Sequence, residues 1–239
     1  MLRFHVPPPL LDGAVSLDGA EAHHLIHVLR KKPGERVALF DGAGIEAAAE
    51  IVRVDRRSVE LRVIDRHEAP VPAVPPLSIA VAPPKGDRLR FLVEKLTELG
   101  VARLILLETE RAIVEPRDRK LGKLGQTVIA ACKQCGRSRL MEIAPPMSFD
   151  QLIACGFANA VAVIAHPTGE PLGEALSLEP ADRPLLALVG PEGGFTDSEV
   201  AAAIAAGARP VSLGETILRI ETAALALAAC ALLRRGFAS

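Results

Sequence analysis

The chain has 239 residues, room for a small domain followed by a medium one, and 49% of them are hydrophobic. Aromatic residues make up 3%, with no Trp and no Tyr, so the core is expected to consist of Ala, Val, Leu and Ile, and stacking on aromatic side chains is excluded as the main mode of recognition. A formal net charge of -1 provides no global attraction for a polyanion, so any nucleic-acid surface has to come from local clustering. Four cysteines, no leader with a charged start and apolar run, and no long apolar span predict a soluble cytoplasmic protein with no membrane partner.

The first 70 residues alternate over short runs. Val37-Ala38-Leu39-Phe40, Ile51-Val52-Arg53-Val54 and Val59-Glu60-Leu61-Arg62-Val63 read as strands, separated by Asp41-Gly42-Ala43-Gly44 and Asp55-Arg56-Arg57-Ser58. Ala22, Leu25, Ile26 and Leu29 recur at helical spacing before Lys31-Lys32-Pro33-Gly34 ends the pattern. A compact barrel over residues 1–70 with one embedded helix is the expectation.

From His67 to Pro76 the prolines lack N–H donors and fix φ, which rules out a regular helix and marks an interdomain linker at residues 71–76. Beyond it, over residues 77–239, apolar runs alternate with helical patterns, which is the grammar of an α/β domain. Strands are expected at 77–82, 104–107, 160–165, 185–189 and 211–213. Helices are expected at 88–99, around 126–132, at 198–206 and from about 221 to 234. Strands this apolar belong in a parallel sheet buried on both faces.

Two strand-to-helix segments carry the chemistry. In Leu188-Val189-Gly190-Pro191-Glu192-Gly193-Gly194-Phe195-Thr196-Asp197, an apolar strand enters a glycine-rich turn and then a helix that Thr196 or Asp197 can cap. Glycines there let a flat ligand approach peptide groups. A plain tight connection is the alternative, and the absence of G-x-G-x-x-G and of G-K-[ST] excludes the common dinucleotide and phosphate loops. In Val211-Ser212-Leu213-Gly214-Glu215-Thr216-Ile217-Leu218-Arg219-Ile220-Glu221, a second strand end presents a loop. Crevices at carboxyl ends of strands are where open α/β sheets bind ligands. Arg219 and Glu221 are either part of such a site or an ordinary solvated pair.

Gly190-Pro191-Glu192-Gly193-Gly194 followed by Leu213-Gly214, Ile217-Leu218-Arg219 and Glu221-Thr222-Ala223 resembles the paired signatures of the bacterial 16S ribosomal RNA uridine N3-methyltransferase family of the SPOUT superfamily. Lys85-Gly86-Asp87, Glu94-Lys95-Leu96-Thr97-Glu98-Leu99-Gly100-Val101, Thr109-Glu110-Arg111 and Gln134-Cys135-Gly136-Arg137-Ser138 extend the resemblance in family order over nearly the whole chain. It implies an α/β SPOUT domain with a parallel sheet and a deep trefoil knot, preceded by a small PUA-like β-barrel. It also implies S-adenosyl-L-methionine as cofactor, a homodimer, and 16S ribosomal RNA within the small ribosomal subunit as partner, methylated at the N3 of the uridine named U1498 in the family. Glu215, Thr216, Ile220 and Lys133-Gln134-Cys135 depart from the usual family residues and leave the glycine loops intact.

On this resemblance Leu188, Gly190, Glu192, Gly193, Leu213, Gly214, Ile217 and Leu218 are expected to hold the cofactor, mainly through backbone groups. Arg219 is expected to stabilise charge on a uracil carbonyl, and Glu221, or Glu192, to serve as base. Arg30, Lys31, Lys85, Arg111 and Arg137 are the expected RNA contacts. The basic run of Arg117, Arg119, Lys120, Lys123, Lys133, Arg137 and Arg139 forms either a phosphate-facing patch, extended by Lys32, Arg56 and Arg57, or a solvated surface. A noncatalytic RNA-binding or assembly protein, and a SPOUT methyltransferase with another RNA target, are the competing readings. His23, His24 and His27 include an i, i+4 pair with no acidic or cysteine partner spaced to complete a site, and Cys132-Lys133-Gln134-Cys135 lacks a second pair, so no metal is expected.

Overall fold

Alternating burial along the first strands builds one sheet, and continuous burial along later ones builds another. The computed structural model describes residues 1–72, 74–113, 118–157, 159–179 and 182–236, with side chains for all of these except 118–121 and 234–236. It divides into a unit of residues 1–71 with 129–140 and a unit of residues 72–128 with 141–239.

In the first unit, β1 (Arg3–His5), β2 (Ala14–Leu17), β3 (Arg36–Phe40), β4 (Ile45–Val54) and β5 (Val59–Glu68) form a sheet ordered β1-β3-β4-β5-β2. β3, β4 and β5 are an antiparallel meander, while β1 joins β3 in parallel. The meander turns sharply because Asp41, 3% exposed, accepts backbone N–H groups of Ala43, Gly44 and Ile45 on one oxygen at 2.8, 3.1 and 2.9 Å. The embedded helix is α1 (Gly19–His23), which widens into a π-turn over His24–Val28. Ala22 and Leu25 point from it into a core with Phe4, Val37, Leu39, Ile51 and Leu61.

Residues 129–140 belong to this first unit, although they follow the proline-rich linker in sequence. Lys133 reaches both oxygens of Glu21, at 2.9 and 2.7 Å, and lies 5.1 Å from the centroid of the Phe4 ring. Arg3 donates to Glu46 at 3.1 Å and to Ser138 Oγ at 2.7 Å, while Ser138 donates to the same glutamate. Pairing between residues this far apart in the chain has no local periodicity, so spacing along the sequence does not announce it.

The second unit is a six-stranded, all-parallel sheet in the order β11-β9-β10-β6-β7-β8. Its strands are β6 (Leu77–Val81), β7 (Arg103–Glu108), β8 (Glu142–Ser148), β9 (Val161–Pro171), β10 (Leu185–Val189) and β11 (Arg209–Ser212). All five residues of central β10 are buried, as a parallel strand covered on both faces requires. Helices α2 (Asp87–Glu98), α3 (Asp118–Cys135), α4 (Phe149–Cys155), α5 (Leu172–Ser177), α6 (Asp197–Ala205) and α7 (Ile220–Gly236) follow the strands. α7 packs on α2, β6 and β10.

Several elements escape pattern reading for identifiable reasons. β8 contains Pro145 and Pro146, residues that argue against a central strand, and the strand expected at 211–213 starts earlier, at Arg209, and takes in Pro210 as β11; both strands lie at the sheet edges, where a missing N–H is tolerated. α4 is short and starts with a reciprocal cap between Ser148 and Gln151. The core also departs from the all-aliphatic expectation: five of the seven phenylalanines, Phe4, Phe40, Phe149, Phe157 and Phe195, are buried. Few aromatics in the composition leaves room for most of them to be inside. Among the described residues no helix is long and apolar enough to cross a membrane.

Candidate functional site

The site grows from adjacent strand ends in the second unit. β6 and β10 run in register to Val81 and Val189, and Ala82 continues the ladder by donating to the Val189 carbonyl at 3.0 Å. Immediately beyond, the chain turns: Gly194 N–H donates to Pro191 O at 2.8 Å with Gly194 at φ +71°, a conformation that favours glycine. Gly190 is needed for a different reason. A Cβ there would lie 3.0 Å from the Phe195 ring and 3.1 Å from its backbone nitrogen. Thr196 then caps α6, accepting from Glu199 N–H at 3.2 Å while the Glu199 carboxylate accepts from Thr196 N–H at 2.8 Å. Of the two expected caps, Thr196 is the one used.

The second wall starts at edge strand β11. Its backbone presses against β9 so closely that a Cβ on Gly169 would overlap the backbone nitrogen of Val211. After Ser212, Gly214 takes φ +118° and residues 213–219 lead to α7, whose first helical hydrogen bond runs from Ala223 N–H to Arg219 O at 2.9 Å.

Between these walls lies a cavity of about 350 Å³. Gly190, Glu192, Gly193, Leu213, Gly214, Ile217 and Leu218 all line it, so seven of the eight expected cofactor contacts are brought together. Leu188 does not: it is fully buried within β10 and fills the core between sheet and helices. Ile220 and Ala223 of α7 line the cavity, whereas Arg219 and Glu221 do not. Arg219 is exposed, and Glu221 is buried on another side of the same helical turn. Sequence reading missed the contribution of Ala165, His166 and Pro167 in the middle of β9, which no glycine or charge pattern marks.

Three further side chains organise the rim. Arg88, the second residue of α2, donates to Glu192 at 3.1 Å and stands 3.7 Å from the buried Oε2 of Glu221, an oxygen with no hydrogen-bond partner. Arg111 donates to the Gly193 carbonyl at 2.9 Å and to the Phe195 carbonyl at 3.3 Å, bracing the glycine turn from outside. Glu199, beyond its capping role, accepts the Glu110 N–H at 3.0 Å. A T-x-x-E spacing was visible for Glu199, but neither Arg88 nor the Arg111 brace has a local sequence signal.

The expected RNA contacts are spread over both units. Arg30, at φ +51°, and Lys85 are exposed. Lys31 is paired with Glu35 at 2.7 Å, Arg111 is engaged by the glycine turn, and the carbonyl of Arg137 accepts from Arg3. In the basic run, Lys133 is consumed by Glu21, and Arg139 bonds Glu68 at 3.1 Å as well as the Ala43 carbonyl. Lys123, Lys32, Arg56 and Arg57 are exposed. Arg117 and the side chains of Arg119 and Lys120 lie outside the described residues. All four cysteines are free, and no cluster of metal-ligating side chains occurs among the described residues.

An all-parallel sheet in which β10 and β11, on either side of β9, end in a glycine turn and a second loop around one cavity is an open α/β ligand site, and its class is that of an RNA methyltransferase domain. A family model described as RNA methyltransferase domain matches residues 72–232, and one described as RNA methyltransferase PUA domain matches residues 17–64. The chain belongs to this RNA methyltransferase family, in the branch represented by the ribosomal RNA small subunit methyltransferases E.

The protein of that name from Bacillus subtilis (strain 168) is 32% identical over 224 residues, covering 88% of this chain and 86% of the relative. That from Mycobacterium tuberculosis (strain CDC 1551 / Oshkosh) is also 32% identical, covering 89% and 84%. Among solved structures, ribosomal RNA small subunit methyltransferase E from Neisseria gonorrhoeae bound to S-adenosyl methionine superposes with a TM-score of 0.86 at 30% identity, covering 98% of this chain and 97% of that one. The methyltransferase Lpg2936 from Legionella pneumophila in complex with the same cofactor gives 0.84 at 31% identity, with coverage of 98% and 97%.

Proposed function

We propose that this protein transfers a methyl group from S-adenosyl-L-methionine to N3 of a uridine in 16S ribosomal RNA of the small subunit, the position named U1498. The observation that carries the reading is the 350 Å³ cavity between the glycine turn and residues 213–220. Its size suits a nucleoside-sized ligand. Its glycines leave backbone groups open to a flat base, and Val189, Leu213, Ile217, Leu218 and Ile220 provide apolar walls for it.

When bound, S-adenosyl-L-methionine supplies an electrophilic methyl on a sulfonium, so that an N3–carbon bond forms as the sulfur–carbon bond breaks. The chain's own contribution is mostly placement, holding the reacting atoms in line. Arg219 is exposed beside cavity-lining Leu218 and Ile220, where its cation stabilises negative charge on a uracil carbonyl as N3 loses its proton. Glu192 is bonded to Arg88 and Glu221 lies outside the cavity lining, so neither is set as a free base, and the proton leaves to water. Arg30 and Lys85, exposed cations, contact RNA phosphates.

The proposal includes a trefoil knot, a homodimer and a cytoplasmic location, with a PUA-like unit formed by residues 1–70. The knot rests on the resemblance of Gly190 to Gly194 and Leu213 to Ala223 to the paired SPOUT signatures. The test is incubation with methyl-labelled S-adenosyl-L-methionine and small subunits lacking the modification, followed by digestion and mass spectrometry. Labelled 3-methyluridine is expected; cofactor binding without label would redirect the search to another RNA. Arg219→Ala is expected to lower turnover about a hundredfold while leaving cofactor affinity within a few-fold.

A further inference from the structure

Arg88 does not line this cavity, yet its two terminal nitrogens face carboxylates from both walls of the cleft. We propose that Arg88 is a positioning residue of the cofactor cleft, holding the glycine turn and the start of α7 at a set separation through Glu192 and Glu221. The inference rests on the reading that this cleft binds S-adenosyl-L-methionine.

The placement follows from the sheet. Because β6 and β10 end in register, the first turn of α2 and the glycine turn emerge side by side, and Nη2 of Arg88 meets Glu192 Oε1 at 3.1 Å. Nη1 points to Glu221 Oε2 at 3.7 Å, an ion pair too long for a hydrogen bond. A planar guanidinium serves two acceptors at once, which an ammonium at the end of a lysine does less well.

The two carboxylates differ in what they need. Glu221 has a side chain 9% exposed and an Oε2 without any hydrogen bond, so Arg88 is its compensating charge, and α7 is drawn toward α2. Glu192 is 40% exposed and would otherwise sample many rotamers; the ion pair holds it on the rim. Glu192 lines the cavity, as do Ile220 and Ala223 on either side of Glu221. Arg88 therefore acts on the ligand only through these residues, by fixing the cleft before the ligand arrives.

A structural role alone would change stability without coupling Arg88 to Glu192 in ligand binding, and a double-mutant cycle separates the two. Binding of S-adenosylhomocysteine is measured by calorimetry, with thermal unfolding in parallel, for wild type, Arg88→Lys, Glu192→Gln and the double variant. Arg88→Lys and Glu192→Gln are each expected to weaken binding about tenfold, and the double variant no more than either alone. Should Arg88→Lys fail to fold, Arg88→Gln is combined with Glu221→Gln, which strands no buried carboxylate, and the cycle is repeated on that background.

Wild-type affinity in Arg88→Lys, a lowered unfolding temperature with unchanged affinity, or losses that multiply independently would each overturn the positioning role. If wild type itself does not bind S-adenosylhomocysteine, the cofactor reading fails and this inference falls with it.

Discussion

The carboxylate of Glu199 accepts the backbone N–H of Glu110 at 3.0 Å from a loop 89 residues earlier in the chain. Its other oxygen accepts the N–H of Thr196 at 2.8 Å. One buried side chain thus caps α6 and ties the loop after β7 to the glycine turn after β10. Replacing it with alanine removes the cap and leaves two N–H groups without their acceptor. Glu199→Ala is expected to lower stability by about 2–3 kcal/mol in urea unfolding, with Glu199→Gln costing less because an acceptor oxygen remains. A loss below about 0.5 kcal/mol would mean that water replaces both bonds.

Gly190 tests whether space, not backbone conformation, selects glycine in the turn. Its φ is not in the left-handed region, but an added Cβ meets the Phe195 ring at 3.0 Å and the Phe195 nitrogen at 3.1 Å. Gly190→Ala is expected to cost about 1–3 kcal/mol of stability. Phe195→Leu in the same chain is expected to recover part of the loss by clearing the ring, as measured by thermal unfolding.

Arg111 distinguishes a brace from a phosphate contact. Its guanidinium already donates to the Gly193 and Phe195 carbonyls. Arg111→Ala is therefore expected to weaken S-adenosylhomocysteine binding about threefold while leaving the salt dependence of subunit binding unchanged. A fall of about one in that log–log slope would instead assign Arg111 to RNA phosphate.

The acid limb of stability is expected to carry a His5 contribution. Burial pushes the His5 imidazole below its ordinary value of 6.5, against the raising effects of Glu21 and Asp41 and with Lys133 lowering it further. Its Nε2 is buried without a hydrogen bond. Because the folded pKa is depressed, the unfolded chain binds the proton first. Stability attributable to His5 is thus fully present above about pH 6.5 and declines as pH falls toward the folded pKa. Urea midpoints measured between pH 8 and pH 5 should fall less steeply in His5→Gln than in wild type; parallel curves would remove His5 from the acid response.

Much of the site was legible along the chain because its parts are local. Gly190, Gly193 and Gly194 sit in one turn, Leu213 to Leu218 in one loop, and each follows a strand whose apolar run is visible by itself. Leu188 lies in β10 away from the cavity lining, and a strand buried on both faces has no alternation to tell which of its residues leaves the core. Arg219 and Glu221 read from sequence as either site residues or a solvated pair; the turn into α7 leaves Arg219 exposed and buries Glu221.

The sequence by itself determined the class of most elements (though not of β1, β2, β8, α4 or α5), the α/β alternation after the linker, and the two loops that form the cleft, since periodicity and glycine placement act over a few residues. Only the tertiary structure decided the strand order that sets those loops side by side. It also decided that edge positions admit prolines in β8 and β11, and that Lys133 and Arg139 serve ion pairs with Glu21 and Glu68 in the first unit. The same holds for Arg88 between Glu192 and Glu221. Such charges look alike in sequence, and what each one does depends on which oppositely charged group the fold brings within about 4 Å of it.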